Sequence, residues 1–210
     1  MIVDHLILGE YQTNCYILRA KNQAKDCLII DTGLNAAKLI DFLEEKRLNP
    51  VAVVLTHGHV DHILGLNALC EKFADFKLLI HKDDATMLTS SRLNLSILAG
   101  INGKTRPADI MLEDGDLVEY AGIKLVVIHT PGHTPGGICL YSKEENTLFS
   151  GDSLFAGSIG RTDIPRGDGE LLREVLKQKI LTLDDETIVY TGHGPETRIG
   201  NEKSLNPFFI

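Results

Sequence analysis

The sequence lacks the features that mark nucleic-acid-binding and membrane proteins. Its longest basic cluster is the pair Lys46-Arg47, and its formal net charge is −8. An extended nucleic-acid surface is therefore not expected, because it needs several cations to neutralise phosphates. No apolar run approaches the length that spans a bilayer, and the N-terminus shows no basic region followed by a long apolar stretch. We expect a cytoplasmic protein with no nucleic-acid or membrane partner.

Paired cysteines of the Cys-x-x-Cys kind are also missing. The cysteines, each in an apolar segment, are Cys15, Cys27, Cys70 and Cys139. None is flanked by a cationic residue that would lower the pKa of its thiol. We predict buried, free thiols in a reducing compartment, not disulfides or nucleophiles.

Residues of the types that bind metal ions are concentrated directly after one apolar run. Val51 to Leu55 is typical of a buried strand, and the run Thr-His-Gly-His-Val-Asp-His follows it directly. Alternate residues of an extended turn point the same way, so His57 and His59 can face one cation together. Asp61 and His62 come where a helix is predicted to start, and they can face a neighbouring cation. Imidazole nitrogen and carboxylate oxygen are ligands of zinc, iron and manganese.

Three further ligand candidates follow strand-like runs later in the chain. His133 comes after the apolar run Ile123 to Ile128, and Asp152 and His193 each follow a short run that ends in glycine. Glycine allows close backbone approach, and loops at strand ends are where sites are usually built on α/β sheets. The joint pattern predicts a two-metal site.

The chain also repeats its own plan. Each half has two strands, a helix and another strand before a ligand histidine: Cys15–Leu18, Cys27–Ile30, Ala36–Arg47 and Val51–Leu55, then Gly137–Tyr141, Thr147–Phe149, Gly169–Ile180 and Thr187–Tyr190. Asn35 is the predicted N-cap of the first helix. Two such units packed face to face bring the ligands into one cleft. We therefore predict a single α/β domain over residues 1–210, a four-layer αββα sandwich of two pseudo-repeated halves.

The segment between the halves, Lys82 to Pro107, is polar with scattered Leu and Ile. Two interpretations of it stay open. It is either a helix plus a mobile loop that covers the cleft, or a plain surface connection.

The ligand pattern resembles that of the metallo-β-lactamase-fold hydrolases, and the resemblance spans nearly the whole chain. It rests on His-x-His-x-Asp-His with a later His, Asp and His. Within that superfamily, the runs 151–163 and 192–197 are most similar to the glyoxalase II (hydroxyacylglutathione hydrolase) group, in its short bacterial type II form. Glyoxalase II hydrolyses S-D-lactoylglutathione to D-lactate and glutathione.

The resemblance implies two divalent metal ions, zinc first, with iron or manganese as alternatives. The implied ligands are His57, His59 and His133 for one ion, Asp61, His62 and His193 for the other, and Asp152 bridging both. A metal-bridging hydroxide would attack the thioester, with Asp61 orienting it. Metal-bound histidines need a partner for their other ring nitrogen. Asp31 is the predicted partner, and the alternative is a turn-capping role.

The chain departs from the longer glyoxalase II enzymes after His193, which only seventeen residues follow. We therefore expect no C-terminal helical glutathione-binding domain. Arg161 takes the place of a glutathione-binding lysine of those enzymes, which implies a role in binding a substrate carboxylate. The alternative is a structural ion pair of Arg161 with Asp163 or Asp168.

A second function stays open by resemblance. Persulfide dioxygenases share the fold, much of the ligand set and a similar Gly-Arg-Thr-Asp segment. They use a single ferrous ion at a His-His-Asp triad, here His57, His133 and Asp152. The oligomeric state is not predicted.

Overall fold

Two mixed sheets of six strands each form the centre of the fold. The computed structural model describes residues 1–73 and 75–210. The first half of the chain builds the first sheet, whose strands in both chain and spatial order are β1 (Ile2–Leu8), β2 (Thr13–Arg19), β3 (Asp26–Ile30), β4 (Asn49–Val54), β5 (Lys77–His81) and β6 (Ile110–Leu112). Strands β1 to β3 pair antiparallel, and β3 to β6 pair parallel.

The second half builds the second sheet and a small hairpin. Its strands are β7 (Leu117–Tyr120), β8 (Ile123–His129), β9 (Ile138–Ser142), β10 (Thr147–Gly151), β11 (Leu154–Phe155), β12 (Ser158–Ile159), β13 (Ile188–Thr191) and β14 (Thr197–Arg198). The sheet order is β14-β13-β10-β9-β8-β7, while β11 and β12 pair only with each other. Strands β10 and β13 are parallel, and the other neighbours in this sheet are antiparallel.

The helices lie between and after the strands. They are α1 (Ala37–Lys46), α2 (Val60–Ile63), α3 (Leu66–Lys72), α4 (Gly169–Val175) and α5 (Ile199–Leu205), with 3₁₀ helices at Lys82–Thr89 and Ser96–Ala99 and a π-helical turn at Leu176–Ile180. Among residues 1–73 and 75–210, none of these helices has the length and apolar character needed to cross a bilayer.

Alternating strand residues divide the core into layers. Ile17 and Ile29 pack with the buried side chains of α1 and α3, whereas their neighbours Leu18 and Leu28 pack against the second sheet. Successive side chains of a strand point to opposite faces, so each strand contributes to both layers. On the outer face of the second sheet, Leu172 of α4 belongs to a third cluster. The layers run helix, sheet, sheet, helix, which confirms the predicted αββα sandwich.

The predicted repeat of the two halves corresponds to a pair of β-α-β crossovers. In the first half α1 joins the parallel strands β3 and β4, and in the second half α4 joins β10 and β13. The second strand of each crossover ends just before a ligand candidate, His57 or His193. The repeat therefore delivers histidines from equivalent strand ends.

The two predicted helices differ in detail from the observed ones. The N-cap of α1 is Ala36, so the prediction of Asn35 was wrong by one position; Asn35 Oδ1 instead accepts a hydrogen bond from Ala37 N–H at 2.9 Å. The second helix is α-helical only from Gly169 to Val175 and continues as the π-helical turn.

The cysteines are free, as predicted. Cys15, Cys27 and Cys139 are buried, but Cys70 is only partly so, which corrects the prediction for that residue. Burial raises the pKa of Cys27 to about 12 and that of Cys139 to about 11. Such thiols stay protonated near neutral pH and are poor nucleophiles.

Candidate metal centre

The extended turn after β4 brings two histidines together with a third from the second half. The nitrogen atoms that His57, His59 and His133 offer to a cation all lie within 4.8 Å of one another. His59 Nδ1 is 2.9 Å from His133 Nε2, and all three side chains are buried. Three converging nitrogens are a usual ligand set for one divalent cation.

A second group of ligand atoms lies beside the first. The backbone of His59 is still extended, and α2 begins at the next residue, so Asp61 and His62 fall in its first turn. Their ligand atoms and that of His193 lie within 4.8 Å of one another. His62 Nε2 is 3.2 Å from His193 Nε2, and Asp61 Oδ2 is 3.3 Å from the same His193 atom.

Asp152 contacts both groups. Its Oδ2 is 3.6 Å from His133 Nε2 and 3.5 Å from His193 Nε2, and its Oδ1 is 3.3 Å from His62 Nε2. A Cβ on Gly192 would collide with Asp152 Oδ1, so glycine is required for this close approach. Burial favours a protonated Asp152, but the nearby histidines, His62 above all, outweigh it and lower its pKa. The structure thus brings all seven predicted ligands together, with one carboxylate between the two groups.

Oxygen acceptors behind the rings fix the orientation of the histidines. His62 Nδ1 is 2.8 Å from Asp31 Oδ2. His57 Nδ1 is 3.1 Å from Thr56 Oγ1, which donates its own proton to Asp31 Oδ2 at 2.7 Å. Asp31 therefore contacts the predicted ligand His62 directly and the predicted ligand His57 through the Thr56 hydroxyl.

Backbone carbonyls do the same for two further rings. His133 Nδ1 is 2.8 Å from the Arg161 carbonyl oxygen, and His193 Nδ1 is 3.0 Å from that of Tyr11. The hydrogen-bond pattern assigns the proton to Nδ1 in these rings and leaves Nε2 with a lone pair. Lone pairs directed at a common centre are what a metal site requires.

Two buried atoms test whether the residues fit a bound cation. Among residues 1–73 and 75–210, His57 Nε2 and Asp152 Oδ1 are buried without a hydrogen-bond partner. An unpartnered buried polar atom costs about 1–3 kcal/mol, and a cation would bind the lone pairs of both. Burial and the neighbouring histidines lower the pKa of His57, and burial and His133 lower that of His59 to about 3. Both rings are therefore neutral ligands, and the set fits divalent metal ions.

The metal centre opens into a cavity of about 700 Å³, which we call the metal cleft. Its walls include Tyr11, Phe155 and Arg161. The segment 82–107 also contributes, because Leu95 and Leu98 line the cleft. This segment contains two short 3₁₀ helices, where the first of its two interpretations had one helix and a loop.

Arg161 forms the ion pair with Asp163 that was one of the two roles considered for it, and its role in binding a substrate carboxylate stays a prediction. Its Nε and Nη2 lie 2.9 and 3.0 Å from the two carboxylate oxygens of Asp163. It also lines the metal cleft. Its side chain is 66% exposed, so the guanidinium can exchange Asp163 for another carboxylate at little cost.

Asp84 is a site residue that the sequence reasoning missed. It is fully buried and accepts hydrogen bonds from Gly58 N–H at 3.0 Å, Thr134 Oγ1–H at 2.7 Å and Gly136 N–H at 2.8 Å. Gly58 stands between two predicted ligands, and Thr134 follows a third. Asp84 thus ties the ligand loops of the two halves together. The sequence did contain an indication of this residue, because Asp84 comes soon after the apolar run 78–80 and site residues often follow such strand-like runs.

A further group of ligand-type residues lies apart from the seven. His81, Asp83 and His129 have ligand atoms within 4.8 Å of one another. However, the two rings stack at 4.0 Å with an angle of 13° between their planes. Nearly parallel rings cannot direct in-plane lone pairs at one cation. His129 Nε2 also lies 2.8 Å from the Pro135 carbonyl oxygen, to which it donates. This is a stacked histidine pair between the sheets.

Comparison with known proteins agrees with this geometry. Residues 8–193 match the family described as the Metallo-beta-lactamase superfamily. The probable metallo-hydrolase YqgX of Bacillus subtilis is 39% identical over 96% of this chain and 94% of its own length. The hydroxyacylglutathione hydrolase GloC of Haemophilus influenzae is 35% identical over 99% of this chain and 98% of its own.

Solved structures show the same fold over the whole chain. BLEG-1, described as a B3 metallo-beta-lactamase, has a TM-score of 0.94 at 40% identity and covers 100% of both chains. TTHA1623 in a di-iron-bound form has a TM-score of 0.87 at 34% identity, covering 98% of this chain and 100% of its own. ETHE1 from Myxococcus xanthus has a TM-score of 0.80 at 27% identity, covering 100% of this chain and 88% of its own. The family match, the relatives and the clustered ligand residues lead to one conclusion: this chain belongs to the metallo-beta-lactamase superfamily of metallo-hydrolases.

Proposed function

We propose that this protein hydrolyses acyl thioesters in a metal-dependent reaction, with S-D-lactoylglutathione or a related small-molecule thioester as substrate. The observation that carries the proposal is the pair of ligand groups joined by Asp152 in the metal cleft. The similarity to the hydroxyacylglutathione hydrolase GloC supports the same substrate class.

Each ligand group would hold one cation, and Asp152 would contact both. Bound there, two divalent ions would lower the pKa of an attacking water and polarise the substrate carbonyl. Zinc is the first expectation. Iron is the principal alternative, supported by the di-iron form of the similar TTHA1623, and manganese accepts the same ligands.

Asp61 would orient the attacking water. Its carboxylate lines the metal cleft. Burial alone would raise the pKa of Asp61, but His62 and the close contact with His193 outweigh burial and lower it. Asp61 therefore stays ionised and accepts a hydrogen bond from water. The water oxygen forms a bond to the acyl carbon as the water gives up its protons, and the C–S bond breaks. The thiolate leaves readily because thiols have a pKa of about 8.5, and it takes up one of these protons, so the products are a carboxylate, a thiol and one proton released to solvent.

The first test is thiol release from S-D-lactoylglutathione by metal-loaded protein, with chelator-treated protein as the control. We expect chelation to reduce the rate by roughly 10³-fold, because metal polarisation supplies several kcal/mol of transition-state stabilisation. A chromogenic cephalosporin is assayed alongside, because the similar BLEG-1 is described as a metallo-beta-lactamase. Failure of fully loaded protein to release thiol, or faster turnover of the cephalosporin, would contradict the proposal.

Arg161→Ala provides a test of how the substrate is held. We expect the KM for a thioester that carries a carboxylate to rise roughly three- to fivefold, the upper part of the range for an exposed ion pair. A neutral thioester should change by less than about twofold. Asp163→Asn is the matched variant, because it removes the present partner of Arg161 and should lower the KM for the anionic thioester. Equal effects of Arg161→Ala on both thioesters would leave Arg161 with a structural role only.

Persulfide oxidation is the second candidate function. His57 Nε2 has no hydrogen-bond partner among residues 1–73 and 75–210, and Asp152 Oδ2 is 3.6 Å from His133 Nε2. These three residues could hold a single ferrous ion as a His-His-Asp triad. Oxygen uptake by iron-loaded protein supplied with glutathione persulfide separates the candidates, because thioester hydrolysis consumes no oxygen. Rapid uptake without thioesterase activity would favour the dioxygenase.

A further inference from the structure

A second cavity, of about 890 Å³, adjoins the metal cleft. The two cavities share three lining residues, Leu95, Leu98 and Pro165. Small-molecule sites typically measure about 300–1,000 Å³, so the metal cleft alone can accommodate a small acyl group and the thioester linkage. The second cavity is additional space that a longer substrate can reach from the metal centre.

The second cavity combines an apolar floor with positive charge. Ile97 and Leu98, two of its lining residues, are 61% and 76% exposed. Exposed apolar patches with a polar rim mark ligand grooves and interaction sites. The charged residues of the lining are Arg92 and Arg166, and among residues 1–73 and 75–210 no carboxylate lines the cavity. We call this second cavity the arginine subsite.

The two guanidinium groups are available to a ligand. Both side chains are exposed, and in the described part of the chain neither forms an ion pair. Arg166 makes one long hydrogen bond, 3.5 Å from Nη2 to the Asp83 carbonyl oxygen. In a chain with a net charge of −8, two such groups beside an apolar floor favour an anionic ligand. The planar fork of arginine suits a carboxylate or a phosphate.

The backbone of the arginine subsite is held in an uncommon conformation. Leu95 and Arg166 have φ angles of 65° and 72°, in the left-handed region that non-glycine residues rarely occupy. Buried Asn94 holds the first of these positions, because its Nδ2 donates to the carbonyls of Met87 and Gly103 at 3.0 and 2.6 Å. Strained backbone that the surrounding structure maintains in this way is typical of ligand-binding segments.

The same segment is fixed to the metal centre. The Asn94 carbonyl accepts a hydrogen bond from Val60 N–H at 3.0 Å, and Val60 is the first residue of α2. The next two residues of α2 are the predicted ligands Asp61 and His62. The shared wall at Leu95 is thus held in a set position relative to the reacting centre, as a preformed substrate site requires.

We propose that the arginine subsite binds the thiol half of the substrate, and that this thiol has an extended neutral or apolar arm ending in a carboxylate or phosphate. The inference rests on the proposed function, because it assumes that the acyl carbon lies at the metal centre. From there the thiol arm leaves the metal cleft along Leu95, Leu98 and Pro165, and its anionic end reaches Arg92 and Arg166.

The test compares thioesters that share the D-lactoyl group and differ in the thiol: coenzyme A, glutathione and the neutral N-acetylcysteamine. In Arg92→Gln/Arg166→Gln we expect kcat/KM for an anionic thioester to fall about 10- to 100-fold, with the neutral thioester changed less than about twofold. Arg92→Lys/Arg166→Lys should restore part of the loss, because it keeps the charge. Arg47→Gln is the control, since Arg47 is also exposed and also has a left-handed φ, 52°.

A loss confined to the coenzyme A thioester identifies a phosphate end, and a loss confined to the glutathione thioester identifies a carboxylate end. A loss for both means that the arginine subsite accepts either anion. Equal changes for all three thioesters, or none, overturn the subsite. Calorimetric titration of the protein with free coenzyme A and free glutathione measures binding without turnover. One outcome separates the two proposals: no thioester is hydrolysed, but a free thiol binds to the wild type and not to Arg92→Gln/Arg166→Gln. In that case the proposed function fails and the arginine subsite stands. If no thioester is hydrolysed and neither thiol binds, both fail.

Discussion

The Asp152→Ala variant is expected to lose both bound metal and hydrolytic rate. Asp152 is the carboxylate that contacts histidines of both ligand groups, His133 on one side and His62 and His193 on the other. Without it, the remaining ligands would present less negative charge to the two proposed cations, which repel each other. We expect the metal content to fall from two ions per chain to one or fewer, and kcat to fall by roughly 10³-fold or more.

Metal content is measured by elemental analysis after dialysis, and rate by thiol release at saturating metal. Asp41→Ala is a suitable control, because Asp41 is an exposed carboxylate on α1, outside the ligand groups. Circular dichroism establishes that the variant keeps its fold. Two ions per chain in folded Asp152→Ala would remove the bridging assignment.

The second large effect is expected at Asp84, a buried residue that is not among those lining the metal cleft. Asp84→Ala leaves three buried donors without an acceptor, on Gly58, Thr134 and Gly136. Each unsatisfied donor costs about 1–3 kcal/mol, so we expect the free energy of unfolding to drop by roughly 3–6 kcal/mol. Loss of residues that orient metal ligands typically weakens metal affinity about 10- to 100-fold. We expect a weakening in that range here, because Asp84 positions the loops on both sides of the metal centre.

Urea unfolding of metal-free protein measures the loss of stability, and competition with a chromogenic chelator measures the metal affinity. Asp83→Ala is the matched control, because Asp83 is the exposed neighbour of Asp84. Asp84→Asn keeps one acceptor oxygen and should give an intermediate result. Wild-type stability and affinity in Asp84→Ala would mean that the loops are held by their other contacts.

Local patterns in the sequence predicted the fold class and which candidate ligand residues lie together. Apolar runs followed by His or Asp mark strand ends, and strand ends of the two halves converge in this architecture. The short spacing from His57 to His62 is covered by one turn and the start of α2, so the sequence alone determines which residues face the centre. The similarity of the two halves predicted the paired β-α-β units for the same reason.

The same patterns failed where an element's type depends on its neighbours. Strands β1, β5 and β6 were not predicted, although they complete the first sheet. The segment 82–107, for which a helix plus a loop and a plain surface connection were both left open, forms two 3₁₀ helices. The buried side chain of Asn94 bonds to backbone groups on either side of it. Those hydrogen bonds satisfy the backbone without a regular helix.

The sequence by itself determined which side chains can bind metal, because ligand chemistry belongs to the residue type and strand-end position to local hydrophobic pattern. Only the tertiary structure decided what holds those side chains and what surrounds them. The carbonyls of Tyr11 and Arg161 behind two histidines could not be foreseen, because every residue has a carbonyl and no letter of the sequence marks the one that is used. The hydrogen bonds of Asp84 to both ligand loops and the arginine subsite arise from segments far apart in the chain. These segments meet only when the two sheets pack together.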